Sequence, residues 1–136
     1  GCYYVTHGKR MHNGLIVVSY ALTDIKPGAG GFCCIPGTHK TQQPMPHECK
    51  RIMNNPLVKQ IPQKAGDVVI FTEALTHGTM PWTDAAGERR SVLLKYCPGY
   101  MRWAKNDMDS DIEGLTERQR LILEGPGVGA KQPVPV

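Results

Sequence analysis

The sequence of 136 residues lacks a long apolar run, a block of like charge and a recognisable signal peptide. No stretch approaches the ~20 apolar residues that cross a bilayer, so no membrane association is predicted. The 16 Lys and Arg residues are scattered, and a net charge of +4 makes no case for nucleic-acid binding. This weak positive charge is compatible with a small anionic substrate. The length allows a single domain with a modest core.

The sequence also lacks a disulfide pattern. The five cysteines are an odd number, and Cys33 and Cys34 are adjacent, which is poor geometry for a mutual bridge. A disulfide framework is therefore not expected, and a reducing compartment such as the cytoplasm is predicted. The chain opens at Gly1 with residues typical of an interior segment, so we expect it to be a fragment of a longer protein.

The apolar runs that are present are short and end at Gly and Pro. Residues 15–22 are rich in β-branched side chains and predict a strand, and residues 32–35 predict another after the glycine-rich turn at 26–31. Four prolines divide residues 41–64, which predicts a loop with at most a short helical turn near 47–53.

Residues 66–96 carry the clearest chemical signal. The run 67–77 predicts a strand, and residues 89–97 predict a second strand next to it. Alternation places six residues of the first run and its end on one face: Val69, Phe71, Glu73, Leu75, His77 and Thr79. An imidazole followed by a guanidinium on a neighbouring strand offers a metal ligand and a bidentate carboxylate clamp, which suits a metal-bound organic acid.

Only one helix is predicted, over residues 115–124, with Thr116 as its N-cap and Gly125-Pro126 as its stop. Residues 127–136 predict a loosely ordered tail. Several short strands with a single helix favour a mostly β fold, a sandwich or a barrel, which we assign to residues 1–126.

Four motifs, in order, resemble the phytanoyl-CoA dioxygenase family of iron(II) and 2-oxoglutarate oxygenases. The resemblance covers roughly residues 13–97 and implies a double-stranded β-helix, or jelly roll, which is incomplete in this chain. The motifs are Leu22-Thr23-Asp24, Gly30 to Lys40, Ala65 to Phe71, and His77-Gly78-Thr79 with Arg89-Arg90-Ser91.

The resemblance also implies roles for individual residues. His77 matches the distal iron ligand, Thr79 matches a hydroxyl position that helps to hold 2-oxoglutarate, and Arg89 matches the clamp for the far carboxylate of 2-oxoglutarate. Arg89 is preferred to Arg90 because the family's clamp opens its strand about seven residues before an aromatic residue, here Tyr96. Arg90 is expected on the opposite face.

The chain departs from the family pattern in one respect. The family binds iron through a His-X-Asp pair and the distal histidine, and this sequence contains no His-X-Asp or His-X-Glu. The family's spacing puts that pair at or before Gly1. We therefore expect an N-terminally truncated fragment that is inactive by itself.

The activity implied is hydroxylation of a small organic substrate by dioxygen, with Fe(II) and 2-oxoglutarate as cofactors. Two alternatives are a jelly-roll binding module without a metal and a cupin-like isomerase or sugar-binding domain. The alternative for His77 is a core histidine bonded to a backbone carbonyl, and for Arg89 a surface salt bridge with Glu88 or Asp84. Glu73 is either a neighbour of the metal site or a half-solvated carboxylate.

Three other histidines receive structural interpretations. His7 and His12 are expected in loops, and His39 is expected to stabilise a turn.

Overall fold

The computed structural model describes residues 2–41, 43, 45–101 and 112–123. The chain divides into two compact units, Cys2–Tyr96 and a second that begins at Cys97. The first unit is mostly β, as predicted, with two short 3-10 helices, Thr38–Lys40 and His47–Lys50. Its strands are β1 (Tyr4–His7), β2 (Arg10–Asn13), β3 (Ile16–Ala21), β4 (Gly31–Cys34), β5 (Lys59–Gln60), β6 (Val68–Thr72), β7 (His77–Met80) and β8 (Ser91–Tyr96).

Two antiparallel three-stranded sheets form the body of this unit. One has the strand order β6-β3-β8 and the other has the order β5-β4-β7. Val17, at the centre of β3, is fully buried, and Phe71 of β6 is 8% exposed. The Phe71 ring lies 4.6 Å from the ring of Phe32 on β4, measured between centroids, so aromatic packing joins the inner faces of the two sheets.

The predicted continuous strand over 67–77 is wrong, because it is two strands in different sheets. β6 ends at Thr72, and the Thr72 hydroxyl accepts a hydrogen bond from the backbone N–H of Ala74 at 3.2 Å. The Leu75 N–H bonds to the Thr72 carbonyl at 3.0 Å, which closes a turn. The predicted pairing with 89–97 is also wrong, since β6 and β8 both pair with β3.

The N-terminal residues form a hairpin rather than the expected loops around His7 and His12. β1 and β2 pair with His7 opposite Arg10 and Val5 opposite His12. Gly8 has a φ of 59°, the left-handed conformation that a two-residue hairpin turn requires. The rings of His7 and His12 lie 5.8 Å apart on one exposed face of the hairpin.

The outer face of the β6-β3-β8 sheet is apolar and open to solvent. Ile70 is 67% exposed, although its neighbour Phe71 on the same strand is buried. The other large exposed apolar side chains of this face are Ile16, Tyr20, Val68, Val92, Leu94 and Tyr96. Both faces of the sheet are therefore apolar, as in a sheet that is covered on each side.

The helix is α1, Glu117–Leu123, close to its predicted position. Thr116 and Gln119 form the expected capping box, in which the Thr116 hydroxyl accepts from the Gln119 N–H at 3.3 Å and the Gln119 side chain accepts from the Thr116 N–H at 2.8 Å. No helix within the described ranges is long and apolar enough to span a bilayer. The predicted stop at 125–126 and tail at 127–136 lie outside the described residues, and the domain extent 1–126 stays a prediction.

Candidate active site

His77 opens β7, and its ring lies between the two sheets. The ring centroid is 4.8 Å from that of Phe71 on the opposite sheet and 6.0 Å from that of Phe32 on the adjacent strand. His77 is exposed when its backbone is counted, whereas its side chain alone is only 25% exposed. The imidazole therefore stands on the inner face with partial access to solvent.

A backbone hydrogen bond fixes the orientation of the His77 ring. Its Nδ1 lies 2.7 Å from the carbonyl oxygen of Leu75, and because a carbonyl can only accept, Nδ1 carries the proton in this bond. A core histidine and a metal-ligating histidine both make such a bond, so it does not distinguish the two interpretations. The distinguishing atom is Nε2, which makes no hydrogen bond to a described residue and has a carboxylate oxygen of Glu73 at 3.8 Å.

Thr79 and the stem of Arg89 lie along the same pair of strands as His77. In the register of β4 and β7, His77 is opposite Cys34 and Thr79 is opposite Phe32. The Cδ atom of Arg89 would lie 3.3 Å from a Cβ added at Gly31, the first residue of β4. The β4 positions next to Arg89, Thr79 and His77 are thus Gly31, Phe32 and Cys34, a span of three residues or about 10 Å, and both Thr79 and Arg89 are exposed.

The two adjacent arginines differ in their partners. Arg90 donates from Nε to the Glu88 carboxylate at 2.8 Å, and both side chains of this pair are mostly exposed. Asp84 is bound by Lys26 at 3.2 Å, an interaction that lowers the pKa of its carboxyl. Both acids proposed as surface partners of Arg89 are therefore engaged elsewhere, and Arg89 forms no ion pair within the part of the chain that the structure describes.

Lys95 is a charged residue at this site that the sequence analysis did not single out. Its Nζ lies 3.2 and 3.1 Å from the two carboxylate oxygens of Glu73, whose side chain is only 14% exposed. The sequence does indicate this position for Lys95, because alternation from Ser91 through Leu93 puts it on the inner face of the strand. The register confirms this face, with Lys95 opposite the buried Val17.

The cysteines near His77 are not suited to nucleophilic chemistry. Cys33 and Cys34 are both buried, and burial raises the pKa of each thiol above its ordinary value of 9.0. All five cysteines are free. A recess of about 80 Å³, lined in part by Cys33, Cys34, Ile52, His77 and Gly78, adjoins β7. It is smaller than the roughly 300–1,000 Å³ of ordinary ligand pockets.

The donor set is incomplete for a resident metal. Among the described residues, no group of three or more His, Cys, Asp or Glu side chains is arranged to hold a metal ion. Iron in a facial triad requires two imidazoles and a carboxylate. His77 fits one of these positions, and the described residues do not fit the whole set.

Comparison with known proteins identifies the family. The model of the family described as phytanoyl-CoA dioxygenase (PhyH) matches residues 2–91, which is more than half of the chain. The chain belongs to the phytanoyl-CoA dioxygenase family. This result confirms the resemblance predicted from the four motifs. A search of curated proteins gives no significant match.

Solved structures of HygX from Streptomyces hygroscopicus share the fold. Apo HygX is 25% identical to the chain with a TM-score of 0.60, and the match covers 84% of this chain and 50% of HygX. HygX with nickel, 2-oxoglutarate and hygromycin B bound is 24% identical with a TM-score of 0.59, over 71% of this chain and 41% of HygX. These matches confirm the predicted jelly-roll class. The chain spans at most half the length of HygX.

Proposed function

We propose that this chain carries one side of the active site of an Fe(II)- and 2-oxoglutarate-dependent oxygenase that acts on a small organic molecule. In this proposal His77 Nε2 binds the metal, Arg89 binds the far carboxylate of 2-oxoglutarate and Thr79 donates a hydrogen bond to the same cosubstrate. With the cofactors bound, such a site converts substrate C–H, dioxygen and 2-oxoglutarate into the hydroxylated substrate, succinate and carbon dioxide.

The observation that carries the proposal is the family membership together with the position of His77, whose ring lies on the inner face between the two sheets. The Leu75 carbonyl holds the Nδ1–H, which leaves Nε2 as the ring atom able to bind a cation. Structures of HygX with nickel and 2-oxoglutarate bound, and with iron bound, support the choice of cofactors. Among the described residues, His77 is one ligand and not a complete site.

Arg89 suits its proposed role because its guanidinium has no carboxylate partner among the described residues. A guanidinium offers two parallel N–H donors to one carboxylate, whereas an ammonium offers a point charge. Thr79 lies between Arg89 and His77 along β4 and β7, and its hydroxyl is likewise without a described partner.

The test is Fe(II)-dependent conversion of 2-oxoglutarate to succinate by the gene product that contains this chain. The proposal predicts turnover that His77→Ala abolishes and that Arg89→Lys retains with a KM for 2-oxoglutarate raised roughly 10-fold or more, since one bidentate contact of ~1.4 kcal/mol is lost. His47→Ala and Arg90→Lys are the matched controls, because His47 lies in the 3-10 helix His47–Lys50 and the Arg90 guanidinium is paired with Glu88.

Three results would contradict the proposal. Turnover that survives His77→Ala would exclude His77 as a ligand. An Arg90→Lys variant with the larger effect on KM would move the clamp to Arg90. Tight metal binding without any requirement for 2-oxoglutarate would favour a cupin-like domain.

A further inference from the structure

The turn that follows β6 brings Glu73 next to His77. Residues four apart in an extended strand lie about 13 Å from each other, a spacing at which these two side chains would not meet. The turn after Thr72 ends β6 instead, and β7 begins at His77 in the other sheet. As a result, Glu73 Oε1 lies 3.8 Å from His77 Nε2. Within the described ranges, no other histidine forms such a pair with a carboxylate.

The two facing atoms of Glu73 and His77 are both electron-pair donors. The Leu75 carbonyl accepts the Nδ1 proton of His77, so the neutral ring presents a lone pair at Nε2. An ionised carboxylate likewise presents only lone pairs. Two such atoms repel each other, and a cation close to both turns this repulsion into attraction. The pair therefore has the electrostatics of a cation site.

The distance between these two atoms is compatible with one shared divalent cation. Two ligand atoms that each lie ~2.1 Å from a metal are ~3.0 Å apart at a right angle and ~4.2 Å apart in a straight line. The observed 3.8 Å falls within this range. The right angle of a facial triad requires the Glu73 oxygen to lie about 0.8 Å nearer to the ring, a shift that rotation about the side-chain bonds of Glu73 provides.

Lys95 supplies a counter-charge to Glu73 in this structure. The Glu73 side chain is only 14% exposed, and the Lys95 Nζ lies 3.2 and 3.1 Å from its two carboxylate oxygens. A carboxylate with so little access to water needs such a partner. The ammonium group also competes with a metal ion for the carboxylate, because both are positive. The Lys95 side chain is 35% exposed, so its charged end has access to solvent when a metal takes its place.

We propose that Glu73 provides the carboxylate ligand of the metal site, in place of the His-X-Asp carboxylate that the family uses. This inference rests on the proposed function, in which His77 Nε2 is a ligand. A facial triad consists of two imidazoles and one carboxylate, and the sequence contains no His-X-Asp or His-X-Glu. Glu73 and His77 then form two of the three ligands. One further imidazole completes the set, and a second carboxylate is not required.

The experiment is a titration of the gene product that contains this chain with Co(II), without 2-oxoglutarate, followed by the d–d absorption of the bound ion. Glu73→Gln removes the charge with little change in shape. It is expected to alter the absorption band and to weaken Co(II) binding at least ~10-fold, since even the outer partners of metal ligands contribute this much. Lys95→Leu removes the competing charge and is expected to bind Co(II) at least as tightly as wild type.

Two further variants serve as controls. In Asp84→Asn, another acid that is paired with a lysine is neutralised, and the titration is expected to stay unchanged. The double variant Glu73→Gln/Lys95→Leu removes both charges of the ion pair, so neither is left unpaired in a fold checked by circular dichroism. It is expected to bind Co(II) as weakly as Glu73→Gln.

Wild-type affinity and absorption in both variants that carry Glu73→Gln would overturn the inference. So would equal weakening by Glu73→Gln and Lys95→Leu, because the ion pair would then act through the fold. His77→Ala in the same titration separates the inference from the proposed function. Loss of Co(II) binding in His77→Ala but not in Glu73→Gln would keep His77 as a ligand and exclude Glu73. Absence of Co(II) binding by the wild type would overturn both.

Discussion

Removal of the Phe71 ring should destabilise the fold and eliminate the contact of that ring with His77. Phe71 is 8% exposed, its ring contacts the Phe32 ring at 4.6 Å and the His77 ring at 4.8 Å, and these contacts join the two sheets. Truncation of a buried Phe to Ala costs about 3–5 kcal/mol. Because small domains unfold with only about 5–15 kcal/mol, Phe71→Ala should remove a large part of the stability.

The assay is equilibrium denaturation by urea, followed by circular dichroism. Ile70→Ala is the matched control, since Ile70 is the next residue of β6, points to the other face and is 67% exposed. Its substitution should change the free energy of unfolding by about 0.5 kcal/mol or less. Phe71→Leu keeps much of the apolar area and should lie between the two. A cost for Phe71→Ala below about 1 kcal/mol, or equal to that of Ile70→Ala, would refute the account of how the sheets pack.

Four further predictions concern other parts of the first unit. Gly30→Ala should lower the free energy of unfolding strongly in denaturation, because an added Cβ would lie 2.0 Å from the Pro81 carbonyl oxygen and φ is 93°; wild-type stability in this variant would contradict the described turn. Cys33 and Cys34 should resist iodoacetamide at neutral pH in the folded chain. Burial raises the pKa of both thiols above 9.0, so the unfolded chain loses its thiol protons at a lower pH than the folded chain. The free energy of unfolding should therefore fall as the pH rises past 9.0. Urea midpoints that rise through this range would be inconsistent with buried thiols. Ile70→Lys should reduce aggregation, measured by light scattering, without loss of stability. Unchanged scattering would show that the chain does not aggregate through the outer face of the β6-β3-β8 sheet.

The sequence predicted the strands whose signal is local. β3 and β4 are short apolar runs that end at Gly or Pro clusters, and both were expected. The break after β6 was missed because residues 73–76 contain neither Gly nor Pro. The turn depends instead on the Thr72 hydroxyl, which competes with the strand for a backbone N–H.

The candidate site was predicted only in part, because some of its contacts join strands that are distant in the sequence. His77, Thr79 and Arg89 were named from motifs, and these roles remain proposals. The link from Lys95 through Glu73 to His77 depends on β6 and β8 both flanking β3 and on β7 lying in the other sheet. No periodicity within one strand encodes that arrangement, because it arises only when distant strands are paired.

The most direct test of the central claim is a crystal structure of the gene product that contains this chain, with Ni(II) and 2-oxoglutarate bound and the metal located by its anomalous signal. The account predicts that His77 Nε2 lies ~2.1 Å from the metal, the distance typical of imidazole ligands. It also predicts that two N–H groups of the Arg89 guanidinium bind the far carboxylate of 2-oxoglutarate. A metal without a bond to His77, or a 2-oxoglutarate carboxylate bound by Arg90, would contradict it.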